Sequence, residues 1–321
     1  MSGEPLLLVN VARPWREQDP LDGARTAHAA GFHGVGFADS PRLFPDSVAE
    51  TERVLSTTDV RLAGPCVLGL GLHHPAVVAQ SIRTLAHHHP ARVLTVVGRG
   101  ESSVRNEGMD VPNLAEYETS LDLLGQLLRD LDPAAATVLG AASGPRTITG
   151  TSQRLPGILI DAGADAGVVT AAVSLARDTE PDIECWLFLR VVTTSTPAQV
   201  EAAADPVLGS CAARLAHAPE WFAVPSEAQA AVARLAQAHD YRRHGTAGAR
   251  GTHLDPEIEA LVRERFLVTG TAEQVTARLR PFAGLGLKGV VLAGAVAGLQ
   301  GRLPEVAAAV RAGLTPREVD A

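Results

Sequence analysis

The chain has 321 residues, 46% of them hydrophobic and 20% charged, with a formal net charge of −8. That length is ample for one large core, and the acidic balance argues against a nucleic-acid partner, which demands a basic surface. Cys66, Cys185 and Cys211 give no zinc or disulfide spacing, and no apolar run nears the ~20 residues that span a bilayer, so a soluble, cytoplasmic protein that does not engage a membrane is expected.

In chain order, residues 6–11 form the first apolar run. A helical stretch follows at 21–30 and stops at Gly31, a residue suited to a helix C′ position. Residues 34–38 predict a second strand that ends at Asp39. Asp39 reads either as a ligand or proton-transfer carboxylate or as a helix cap. His33, just before this strand, falls at the opposite end of any barrel. A third strand is expected over 61–67. Its following loop is rich in Gly and Pro and contains His73 and His74. A helix over 75–87 starts on proline and ends in His87, His88 and His89, where cations suit the dipole and solvent. No acidic or cysteine partner is spaced around these histidines as zinc ligands would be, so no metal is expected.

Strand four, 93–98, leads into the segment GRGESSVRN, residues 98–106. Its glycines let backbone approach a ligand, and Arg99, Ser102, Ser103 and Arg105 offer donors to an anion; an ordinary polar loop reads the same. Residues 114–131 have helical spacing. Strand five, 137–142, ends in the segment GAASGPR, residues 140–146. There Ser143, Gly144 and Pro145 lead into a helix, as an anion site or as a plain serine cap. Strands are expected at 157–162 and 183–192. Residues 197–265 read as a helical insertion before the last strand, 289–293, and hold His244 and His253. A helix at 271–282 opens on a capping-box pattern, and 304–314 is the last helix.

Eight strands alternate with helices and lack polar alternation, which predicts an α/β fold with a parallel sheet buried on both faces. The count favours a single (β/α)8 barrel domain over residues 1–321. Chemistry then belongs at the C-terminal ends of the strands.

The ordered set FADSPRL (37–43), RLAGPCV (61–67), GRGESSVRN (98–106), AASGPR (141–146) and VTGTAEQV (268–275) resembles the luciferase-like monooxygenase superfamily, near its methylene-tetrahydromethanopterin reductase branch. The resemblance implies a (β/α)8 barrel and coenzyme F420, a deazaflavin, or else FMN. It implies a non-proline cis bond at Cys66–Val67 supporting the ring. It also implies a ribityl-phosphate site at Gly98, Arg99, Gly100, Glu101 and Ser102 and at Ala142, Ser143, Gly144 and Pro145, with Asp39 near the ring. The family commonly pairs through its outer helices, so a homodimer is an open expectation.

The expected reaction is hydride transfer from reduced F420 to an activated C=C, C=N or C=O of a small molecule or peptide-derived substrate, compatible with natural-product tailoring. Asp39 or Glu101 is the expected proton donor, with His73 or His244 as alternatives. An FMN-dependent monooxygenase and a non-catalytic barrel without cofactor are the other readings. The sequence departs from the family pattern after strand three, where residues 68–70 lack the usual Thr-Asn-Pro. It departs again before strand four, where the three histidines replace an acidic and Gly-Gly turn.

Overall fold

Valine, leucine and isoleucine dominate the strands because each is covered on both faces, by the barrel interior on one side and by helices on the other. The computed structural model describes residues 4–11, 19–246, 248–249 and 255–316. In chain order the elements are β1 (Leu6–Asn10), α1 (Pro20–Ala29), β2 (Gly34–Phe37), α2 (Ser47–Thr57), β3 (Leu62–Gly69), α3 (Pro75–His88), β4 (Val93–Gly98), α4 (Glu101–Asn106), α5 (Leu114–Leu127), β5 (Thr137–Ala142) and α6 (Pro145–Ser152). They continue with β6 (Gly157–Ile160), α7 (Ala166–Thr179), β7 (Glu184–Thr193), α8 (Pro197–Ala204), α9 (Leu208–His217), α10 (Ser226–Gln237), α11 (Pro256–Phe266), β8 (Leu267–Gly270), α12 (Ala272–Leu279), β9 (Gly289–Ala293) and α13 (Leu303–Leu314).

Neighbouring strands run parallel. β1 to β6 pair in sequence order, β6 pairs with β7, β7 with β9, and β9 with β1. This closes the expected (β/α)8 barrel. β7 divides along its length: Trp186–Leu189 pair with β9, while Arg190–Thr193 pair with β8. β8 adds to the expected strands. Its four residues, two of them Thr and Gly, carry too little pattern to stand out.

The barrel interior is filled by Leu8, Leu94, Val96, Leu139, Leu159, Trp186 and Val291. Trp186 is the largest of these, and Gly289 leaves room for it: a Cβ there would lie 2.2 Å from the indole ring. Gly36 plays the same part for β3, because a Cβ there would meet Pro65 N at 2.1 Å. The register of β3 slips against both neighbours at Gly64 and Pro65. The cis peptide of this strand is Gly64–Pro65, not Cys66–Val67 as the resemblance implied. A tertiary X–Pro amide tolerates cis where a secondary amide resists it.

Several helix signals hold at the atomic level. Thr271 and Gln274 form the capping box of α12, and α3 begins on Pro75 with His74 as its cap. α5 ends at Leu127, short of the expected 131. Asp39 caps no helix, since α2 is capped by Asp46. No helix among the described residues is long and apolar enough to cross a membrane.

Candidate active site

Two cavities open where the strands end, and they adjoin across Val67, Val96, Ala141, Asp161 and Arg214. The larger, of about 490 Å³, is walled by two strand-to-helix turns, one after β4 and one after β5. In the first turn Gly100 adopts φ +74°, and a Cβ there would lie 3.1 Å from Gly69 Cα. Only glycine lets this turn pass so close over the end of β3. The loop reading of 98–106 is corrected at Glu101, where α4 begins. Ser103 is therefore helical and buried, and its hydroxyl donates to the main-chain oxygen of Asp39.

In the second turn the cap of α6 is Gly144, not Ser143. Thr147 Oγ1 accepts from Ser143 N at 3.3 Å and from Gly144 N at 3.2 Å, which holds the turn closed. Arg99, Arg146 and Arg214 face the cavity against Glu101 and Asp161. Glu101 is engaged with Arg105 at 3.2 Å. The donor set suits an anionic chain.

The smaller cavity, about 240 Å³, is lined by Asp39, Phe44, Ser102, Phe188, Arg190 and His244, among others. Asp39 Oδ2 accepts from Gly69 N at 2.8 Å and meets His73 Nε2 at 3.0 Å. The bond to Asp39 raises the His73 pKa above its ordinary value, against the opposing effect of burial.

An ion cluster lies in the wall shared by the two cavities. Arg190 grips Asp161 with both terminal nitrogens, at 2.7 and 3.1 Å, and Arg214 reaches the same carboxylate at 2.6 Å. Burial disfavours the charged carboxylate, but the two guanidinium groups outweigh it and hold Asp161 below the usual range. The sequence reading missed this cluster. Its signal was one charged residue in each of two apolar runs, Asp161 after β6 and Arg190 inside β7.

The family model described as luciferase-like monooxygenase matches residues 18–289. The chain belongs to the luciferase-like monooxygenase family. No curated protein matches it. Among solved structures it is similar to an F420-dependent secondary alcohol dehydrogenase in complex with an F420–acetone adduct, at 16% identity and TM-score 0.68, covering 96% of this chain and 99% of that one. It is also similar to coenzyme F420 dependent tetrahydromethanopterin reductase from Methanopyrus kandleri, at 15% identity and TM-score 0.66, covering 95% and 97%. A third likeness is to riboflavin lyase with modified FMN and substrate riboflavin, at 16% identity and TM-score 0.59, covering 99% and 94%. At these identities the likeness is one of fold.

Within this luciferase-like barrel the residues singled out from sequence divide between the cavities. Gly98, Arg99, Gly100, Glu101, Ala142, Ser143, Gly144 and Pro145 line the larger one, Asp39 and Ser102 the smaller, and Val67 both. Cys66 lines neither: its thiol is buried, 3.8 Å from Ser47 Oγ, and burial pushes its pKa up to about 11. His73 stands behind Asp39. His244 faces the smaller cavity and contacts His239, Nδ1 to Nε2, at 3.0 Å. His33 accepts from Leu7 N at 3.0 Å, at the far end of the barrel. His253 lies outside the described residues.

Proposed function

We propose that this luciferase-like protein is an oxidoreductase that takes hydride from reduced coenzyme F420 and delivers it to an activated C=C, C=N or C=O bond of a small molecule or peptide-derived substrate. The observation that carries this reading is the pair of adjoining cavities. One is lined by three arginines, Arg99 and Arg146 beside its two glycine-rich turns and Arg214 on α9, and the other by the Asp39 carboxylate with His73 behind it.

The residues fit such a cofactor by their chemistry. Arg99, Arg146 and Arg214, with the turns at Gly98 to Glu101 and Ala142 to Pro145, would hold a phosphate-bearing side chain. Val67, shared by both cavities, would lie against the ring. Reduced deazaflavin, when bound, supplies a hydride from its C5.

Reducing a double bond also takes a proton, and that is the task of Asp39 and His73. His73 holds a proton at Nε2 against Asp39 Oδ2, 3.0 Å away. The His73 side chain is 29% exposed and that of Asp39 only 9%. A proton thus passes from solvent to the cavity without water entering beside the substrate. Glu101, held by Arg105 in the other cavity, serves the cofactor side.

A second reading rests on the family match and on the FMN-holding neighbour: the same arginines would take the single phosphate of FMN, making the protein an FMN-dependent monooxygenase. Titration of the chain with F420 and, separately, FMN, followed by ligand fluorescence, tests both. Saturable binding of the deazaflavin with much weaker FMN binding supports hydride transfer. The reverse preference supports the monooxygenase. Binding of neither would mean a barrel without redox chemistry.

A further inference from the structure

A separate group of ligating side chains lies at the end of the barrel opposite the mouth. Helices of a (β/α)8 barrel run back from the mouth, so the C-terminal end of α3 lies on the N-terminal face of the strands. There Glu52 of α2 meets His88 and His89. Glu52 Oε2 is 3.5 Å from His88 Nδ1 and 3.1 Å from His89 Nε2. The three atoms all lie within 4.8 Å of one another.

Adjacent helical residues do not face a common point. His89 escapes this limit because the helix ends at His88. With φ −135° and ψ 63°, His89 leaves the helical path. The two rings stand 6.1 Å apart and nearly perpendicular, at 85°.

The hydrogen bonding gives an independent observation. Glu52 Oε2 and His89 Nε2 are both buried, and neither has a hydrogen-bond partner. They approach closely without the direction a hydrogen bond needs. Glu52 Oε1, by contrast, accepts from the Ser56 hydroxyl at 3.0 Å. One carboxylate oxygen is anchored and the other is offered, which is how outer partners orient metal ligands. Bonds of ~2.0–2.1 Å in a tetrahedral zinc site set nitrogen and oxygen ligands about 3.3 Å apart. The two separations from Glu52, 3.1 and 3.5 Å, bracket that spacing, and the two ring nitrogens lie within 4.8 Å of each other.

We propose that Glu52, His88 and His89 bind a zinc-like divalent cation that ties α2 to α3, with water completing the tetrahedron. Two imidazoles and one carboxylate favour zinc or its transition-metal neighbours over the all-oxygen shells that magnesium and calcium take. Two of the three histidines at the end of α3 thereby gain a role that the barrel mouth does not use.

The test is titration of chelator-stripped full-length protein at pH 7.5 with zinc and, separately, with cobalt(II). One equivalent should bind, the cobalt form should show intense tetrahedral d–d bands, and zinc should raise the thermal midpoint. Glu52→Gln and His88→Asn should each weaken binding at least tenfold, while His87→Asn, an exposed neighbour, should leave it unchanged. The His88 side chain is half exposed, so its replacement spares the fold, and circular dichroism checks this. Absence of saturable uptake would overturn the proposal. So would equal affinity in the wild type and both site variants, which would put the metal on other histidines and leave only an ion pair here.

Discussion

Asp161 receives both terminal nitrogens of Arg190, at 2.7 and 3.1 Å, in the wall where the two cavities of the barrel mouth meet. Arg190 is 3% exposed. With Arg214 on the same carboxylate, the cluster carries one net positive charge toward the cavities. A guanidinium this deep persists only with its counter-charge in place.

Asp161→Ala should therefore cost about 3–5 kcal/mol of stability, the usual penalty for stranding one member of a buried ion pair. Denaturant unfolding checks this, and a loss under 1 kcal/mol would mean the pair is dispensable. Asp161 has a lowered pKa in the fold. Its contribution is thus present above the unfolded carboxylate pKa and lost as pH falls through the lower folded value. Near neutral pH this cluster should give no pH dependence.

His73 should titrate above an ordinary histidine because Asp39 holds its proton. Its stabilising bond is fully present below the unfolded pKa of ~6.5 and is lost as pH rises through the higher folded value. Asp39→Asn should return the His73 pKa toward ~6.5, read by NMR of its ring carbons. It should also cut hydride transfer by roughly 10²–10⁴-fold while cofactor affinity changes little. An unmoved His73 pKa would break the proposed relay.

Arg99 lines the arginine-rich cavity on the turn after β4. Arg99→Ala should remove a charge-assisted hydrogen bond to the anionic cofactor, worth about 1.5–3 kcal/mol, or roughly ten- to a hundredfold in Kd. Salt should weaken wild-type binding more than that of the variant. Unchanged affinity in Arg99→Ala would move the anion site elsewhere.

The barrel was legible because its strands are continuous apolar runs and its helices begin at readable caps such as Thr271. The turns at Gly98 and Ala142 were legible because glycine and small residues crowd after strand ends. β8 escaped notice because four residues carry no period. The resemblance implies a cis bond at Cys66–Val67, whereas the cis bond lies earlier in the strand, at Gly64–Pro65, where Pro65 packs against Gly36. Asp161 and Arg190 lie 29 positions apart in sequence, so their pairing becomes visible only once β6 and β7 lie side by side. The same holds for Glu52, which sequence spacing could not connect to His88 and His89.

His239 is 5% exposed and touches His244, which faces the smaller cavity. Burial lowers the pKa of His239 to about 4 and that of His244 to about 3, the latter also by its neighbour. Both rings are thus neutral in the fold but take up protons in the unfolded chain near ~6.5. Stability from this pair is complete above that value and drains away as pH falls toward the folded values. The thermal midpoint should begin to decline below about pH 6.5, before the carboxylates of the unfolded chain start to titrate. His239→Gln combined with His244→Gln should flatten that decline between about pH 6.5 and 5, where the carboxylates do not yet titrate. If the double variant keeps the wild-type slope across this window, the acid response belongs to other groups and the two rings are not the neutral pair their surroundings call for.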